Sequence, residues 1–150
     1  MYKEILVPLD GSPLAEAALP DATAVAKAFG GRISVLFVLE PIGLYPQQSM
    51  VLSPMIPPPL STDEGEESAR KYLDQMVRRL TMDGVDARYV LKEGDPASEI
   101  CDYTEAEKID LIVMSTHGRS GLKRWVYGSV ADRVLREASV PILLIRSHTK

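Results

Sequence analysis

Five short runs, EILVPLD, RISVLFVLE, VDARYVLK, DLIVM and VPILLIR, alternate with longer segments whose apolar residues recur every three or four positions. No other feature constrains the fold as much. RISVLFVLE and DLIVM are apolar at successive positions, so both faces of those strands need cover. A parallel sheet with helices above and below supplies that cover. The pattern predicts an α/β class protein, a single doubly wound, Rossmann-like domain with a five-stranded parallel sheet and helices on both faces. One hundred and fifty residues without an internal repeat suit one such domain spanning 1–150.

The helix ends carry their own signals. Ser12 followed by Pro13 opens the first helix, with Leu14, Ala18, Ala22, Val25, Ala26 and Phe29 as its stripe and Gly30-Gly31 as its stop. Pro20 inside that stripe predicts a kink. Ser61 with Glu64 reads as a capping box for the second helix, whose stripe is Ala69, Leu73, Met76, Val77 and Leu80. Asp95 caps the third helix with Pro96 at its first position, and Ser129 is placed as the cap of the last, VADRVLREA. Cys101, at helical spacing from Ala97 and Thr104, reads as a small core residue.

In an open parallel sheet, ligands bind beyond the carboxyl ends of the strands where strand order reverses. Two carboxyl-end segments carry unusual chemistry: PLDGS, with Pro8, Leu9 and Asp10, and MSTHGRSGLKRWVYGSV, from Met114 to Val130. The second sets Gly118, Gly121 and Gly128 among Arg119, Lys123 and Arg124. Gly118 lets backbone approach a phosphate, successive N–H groups there form an anion nest, and the helix starting after Gly128-Ser129 offers unpaired amides and a favourable dipole. Each of these glycines could serve a tight turn, but their combination with a phosphate-ready helix start favours a ligand, while Asp10 before Gly11 could equally be a turn or cap residue. As a ligand group, Asp10 suits a ribose hydroxyl or a bound Mg²⁺. Neither a P-loop nor a G-x-G-x-x-G fingerprint is present. His117 has no sequence partner to orient it as a general base.

Charge and composition exclude other classes. A formal net charge of −4 argues against nucleic-acid binding, which needs a basic face. One cysteine allows no internal disulfide or thiolate cluster. No apolar run approaches the roughly 18–20 residues of a membrane span. The first residues lack a signal peptide's apolar region, so the expected location is cytoplasmic with no membrane partner.

ILVPLDGS, MSTHGRSGLKRWVYGSVADRVLREASVPILLIR and the layout between them resemble the universal stress protein family over essentially the whole chain. The family's nucleotide-binding branch carries G-x-x-G-x₉-G-[ST] after the fourth strand. Here Gly118, nine residues from Arg119 to Tyr127, then Gly128-Ser129 match, while Ser115 stands at the first glycine. A requirement for positive φ there would cost serine roughly 1 kcal/mol or more; a requirement for a small residue would not.

The resemblance implies strand order 3-2-1-4-5 and an ATP site, with Mg²⁺, in which Asp10 meets the ribose and Pro8 and Val38 the adenine. Met114, Val130 and the backbone of His117 would line it, and Gly118, Arg119, Gly128 and Ser129 would serve the phosphates. It also implies a stress-response regulator rather than an enzyme, with at most slow hydrolysis involving His117. Two other readings are an interaction dimer of the same fold that has lost its nucleotide, and a slow nucleotidase using His117. The proline-rich stretch 41–61 is either a lid over the ligand or a plain loop. The last strand, Val140 to Arg146, is a sticky edge that pairing with a second copy would remove, which predicts a homodimer.

Overall fold

The computed structural model describes residues 1–42, 61–116 and 128–146. Its strands are β1 (Glu4–Leu9), β2 (Arg32–Leu39), β3 (Asp86–Glu93), β4 (Leu111–Ser115) and β5 (Ile142–Ile145). Its helices are α1 (Pro13–Glu16), α2 (Leu19–Phe29), α3 (Asp63–Met82), α4 (Pro96–Ala106) and α5 (Ser129–Glu137). The sheet is parallel with order β3-β2-β1-β4-β5, the doubly wound arrangement expected.

Side-chain alternation along the strands divides the core in two. Ile5, Val7, Leu9, Val35 and Val113 face α2 and α3, where Ala22, Ala26, Leu73 and Met76 meet them. Leu6, Leu36, Val38, Ile112 and Met114 face α4 and α5, packing against Ile100, Ala131 and Val134. The chain winds outward through β2 and β3, then returns across the sheet to β4. Right-handed crossovers in opposite directions therefore put the later helices on the other face.

The return creates an opening. The β1–β2 ladder runs from Glu4↔Arg32 to Leu9↔Phe37, whereas β1 and β4 pair only at Ile5↔Leu111 and Leu6↔Ile112. Beyond Leu6 and Ile112 the two strands form no further pairs, and an open parallel sheet has its cleft at such a switch point.

Five local expectations need correction. Pro20 does not kink one helix; the segment forms two, and Pro20 lies in the first turn of α2, where its missing N–H leaves no bond unmade. Thr62, not Ser61, caps α3: its extended backbone lets the side chain accept from Gly65 N at 2.9 Å, while Ser61 N donates to Glu40 O. Gly128, not Ser129, is the N-cap of α5, and Ser129 is the first helical residue. Phe29 is 40% exposed, edge-on to Tyr2, and Cys101 is only half-buried, with burial pushing its thiol pKa up. Ser12 and Asp95 cap α1 and α4 as expected, through Ala15 N and Ser98 N.

Candidate functional site

Asp10 follows β1, and its Oδ1 accepts from Ser12 N at 2.9 Å and Ser12 Oγ at 2.5 Å. Ser12 Oγ in turn accepts from Ala15 N at 3.2 Å, so the carboxylate is oriented by the first turn of α1. Gly11, at φ 86, makes the tight turn between them. The turn role and the position at the strand's carboxyl end coexist in one residue.

Alternation sorts the other expected contacts by face. Pro8, Val38 and Met114 follow Leu6, Leu36 and Ile112 by two residues and lie on the α4/α5 face, where Val130 also packs. Val38 and Met114 are buried and Pro8 half-buried. Leu9 and Ser115 take the opposite face; Leu9 belongs to the α2/α3 core.

The start of α5 is tied to the end of β4. Gly128 N donates to Thr116 O at 2.8 Å, and Thr116 N donates to Ile145 O at 2.9 Å. Ser129 and Val130 therefore begin their helix beside the cleft. Gly128, the N-cap of α5, has no side chain to cap its first amides, and a helix N-terminus of this kind favours an anion. His117, Gly118 and Arg119 lie outside the described residues, as do Gly121, Lys123, Arg124, Trp125, Tyr127 and positions 43–60 of the lid segment.

Ser115 sits in regular strand, registered with Ile145, and Lys108 is the one non-glycine residue with positive φ among those described. The position does not call on glycine's conformational range. Its buried Oγ has no hydrogen-bond partner among the described residues. Because a buried unpaired hydroxyl is destabilising, Ser115→Ala should raise unfolding free energy by about 1 kcal/mol. Urea denaturation measures this, and a loss of stability would show that the hydroxyl has a partner.

A cavity of about 250 Å³ opens on the α4/α5 face, next to these residues. Glu40 and Gly94 bound it from the ends of β2 and β3, Asp95 and Ala97 from α4, and Ser129, Val130 and Arg133 from α5. Gly94 must stay bare: it has φ 147, and a Cβ there would stand 2.8 Å from Glu99 Oε1.

Arg133 donates through Nη1 to Asp95 Oδ2 at 2.6 Å and through Nη2 to Ser98 Oγ at 3.3 Å, with Nε 3.7 Å from Glu137 Oε1. Burial pushes the Asp95 carboxyl up, but hydrogen bonds from Ser98 and Arg133 outweigh it and hold the pKa below its ordinary value. The hydrogen bond to Asp95 raises the Arg133 pKa in turn.

Sequence reading singled out Ser129 and Val130 but missed Glu40, Gly94 and Arg133 as site residues. Two signals were present. Glu40 is two positions past Val38 on the same strand face, and Arg133 is one helical repeat past Ser129.

The model of the "Universal stress protein family" matches residues 1–146. Universal stress protein MJ0531 of Methanocaldococcus jannaschii is 34% identical over 154 residues, covering 100% of this chain and 85% of the relative. The solved structure of MJ0577, from the same organism, superposes with TM-score 0.79 at 26% identity, covering 100% of this chain and 99% of that one. A universal stress protein from Archaeoglobus fulgidus, solved in complex with dAMP, has the same fold: TM-score 0.72, 23% identity, 96% and 98% coverage.

Proposed function

The chain belongs to the universal stress protein family, and we propose that it binds an adenine nucleotide, ATP with Mg²⁺, as a regulatory homodimer. The observation that carries this reading is the topological switch between β1 and β4, where Asp10 follows β1 and the start of α5 is bonded to Thr116 just past β4. A helix N-terminus at a topological switch favours a phosphate. Pro8, Val38, Met114 and Val130 on one face offer an apolar wall for the base. Asp10 accepts from the ribose. The dAMP complex of the Archaeoglobus fulgidus relative supports the nucleotide class.

Among the described residues no cluster of three or more His, Cys, Asp or Glu could hold a metal. Mg²⁺ would therefore arrive with the phosphates and take at most Asp10 from that part of the chain, as suits an ion that keeps much of its water. Gly118 and Arg119 complete the phosphate end in this reading, with the His117 backbone beside them.

The dimer would form along β5, an edge strand on which Leu143 is 36% exposed, with Leu135 of α5 exposed at 39%. The protein would then act in the cytoplasm by presenting a nucleotide-dependent surface to protein partners. No helix among the described residues is long and apolar enough to cross a membrane.

Thermal unfolding with ATP, ADP, AMP and cyclic AMP tests the reading. Ligand at ten times its Kd should raise unfolding free energy by about 1.4 kcal/mol. Asp10→Ala should weaken binding about tenfold, the scale of one hydrogen bond to a charged group. Unchanged melting with every adenine nucleotide at millimolar concentration would refute nucleotide binding. Sedimentation as a monomer would refute the dimer.

A further inference from the structure

We infer that Tyr72 is a positioning residue for Asp10: through Glu16 and the single-turn helix α1 it fixes the turn that presents the Asp10 carboxylate. The inference rests on the nucleotide reading above, in which Asp10 accepts from the ribose.

The turn needs an outside hold. Asp10 Oδ1 is oriented by Ser12, and Ser12 is the cap of α1, a helix of four residues. A single turn has too few hydrogen bonds to stand by itself. Glu16 closes it, its N donating to Ser12 O at 3.3 Å. A group that holds the Glu16 side chain therefore steadies Ser12, and with it Asp10.

That hold comes from α3. Tyr72, Met76 and Arg79 follow one another at helical spacing, on one stripe of the helix. Arg79 Nη1 donates to Glu16 Oε1 at 3.2 Å and lies 3.8 Å from Met76 Sδ. The Arg79 side chain is 62% exposed against 24% for Glu16, so this ion pair alone is a loose tether.

Tyr72 is set deeper. Its ring meets Phe37 edge-on with centroids 6.0 Å apart, and Phe37 is the register partner of Leu9, the residue before Asp10. Its buried hydroxyl has no hydrogen-bond partner among the described residues. Burial, then Glu16, and after it Asp10 push the phenol pKa up, so the group stays a donor close to two carboxylates. A buried donor without an acceptor is destabilising, and a carboxylate bonded to Arg79 can still accept from a second donor. A small shift of Glu16 completes that bond and draws α1 against α3.

The test is titration calorimetry on the full chain with ATP and with 2′,3′-dideoxy-ATP, which lacks the ribose hydroxyls. Tyr72→Phe keeps the ring on Phe37 and removes only the hydroxyl. It should weaken ATP about fivefold, within the range for a residue acting through a contact network. Binding of the dideoxy nucleotide should stay within about 1.5-fold, the scatter expected of uncoupled groups. In an Asp10→Ala background, Tyr72→Phe should likewise change ATP affinity by less than about 1.5-fold, because the carboxylate it positions is gone. Glu16→Gln should weaken ATP about as much as Tyr72→Phe, and the two together no more than either alone. A mere packing defect would weaken both nucleotides alike and persist without Asp10.

If Tyr72→Phe binds ATP like wild type, or weakens the two nucleotides equally, Tyr72 does not position Asp10 and nucleotide binding stands. If wild type binds the two equally, Asp10 does not meet the ribose, and the inference falls with that contact alone. If wild type binds neither at millimolar concentration, both readings fall together.

Discussion

Ile112→Ala should lower the unfolding free energy by about 3–4 kcal/mol, within the range for truncating a fully buried isoleucine. The side chain has no exposure, and it sits at the last rung before the cleft, opposite Leu6 on β1 and Ile142 on β5. Backbone bonds hold this position on the β5 side as well, with Ile112 N donating to Pro141 O at 3.0 Å. Neighbours tied so firmly cannot collapse into the vacated space, which places the cost above the minimum for lost transfer energy. In a domain of this size each kcal/mol lowers Tm by about 2–4 °C. The same truncation loosens the point from which β1 and β4 diverge, so nucleotide affinity should fall with it. Urea denaturation and the ATP titration check the two effects, and a stability loss under about 1 kcal/mol would show that the site relaxes freely.

Gly31→Ala should cost about 2–3 kcal/mol, near the top of the range for forcing one added carbon into packed structure. An added Cβ would stand 2.4 Å from Tyr2 O, 3.2 Å from Lys3 O and 3.4 Å from Lys3 Cα, all of them backbone atoms. That backbone has little freedom to retreat. Arg32 N donates to Lys3 O at 2.8 Å, and the Asp110 carboxylate accepts from Lys3 N at 2.8 Å and Glu4 N at 2.9 Å. Those bonds, from Glu4 first and then Lys3, also hold the Asp110 pKa below the usual carboxylate value. Gly84→Ala is the control. Its Cβ meets nothing within 4 Å, and only the φ of +87° opposes it, a cost of about 1–2 kcal/mol. Guanidinium melts of both variants measure the difference; equal losses would mean that the backbone at Tyr2 moves aside.

The glycine pair 30–31 illustrates where local reading ends. Gly30 closes α2 in the left-handed conformation, as a glycine at a helix end should. Gly31 is needed for a different reason, the passage of Tyr2 and Lys3 beside it, which no local pattern announces. Asp10 behaves similarly: the turn to Ser12 follows from the Asp-Gly-Ser string, but its place on the lip of the cleft follows from β4 lying beside β1.

The sequence by itself determined the α/β class, the five strands and most helix limits, because periodicity and capping act over about four residues and are written in neighbouring side chains. It also carried Asp10, Ser115, Ser129 and Val130 as residues of interest. Only the tertiary structure decided that Ser115 lies in unstrained strand, that Pro8, Val38, Met114 and Val130 share a face, and that Arg133 is locked to Asp95 from 38 residues away. Those facts depend on which elements become neighbours when the chain reverses its winding between β3 and β4. That choice is made by the summed burial of both sheet faces, a quantity that belongs to the assembled core rather than to any segment of it.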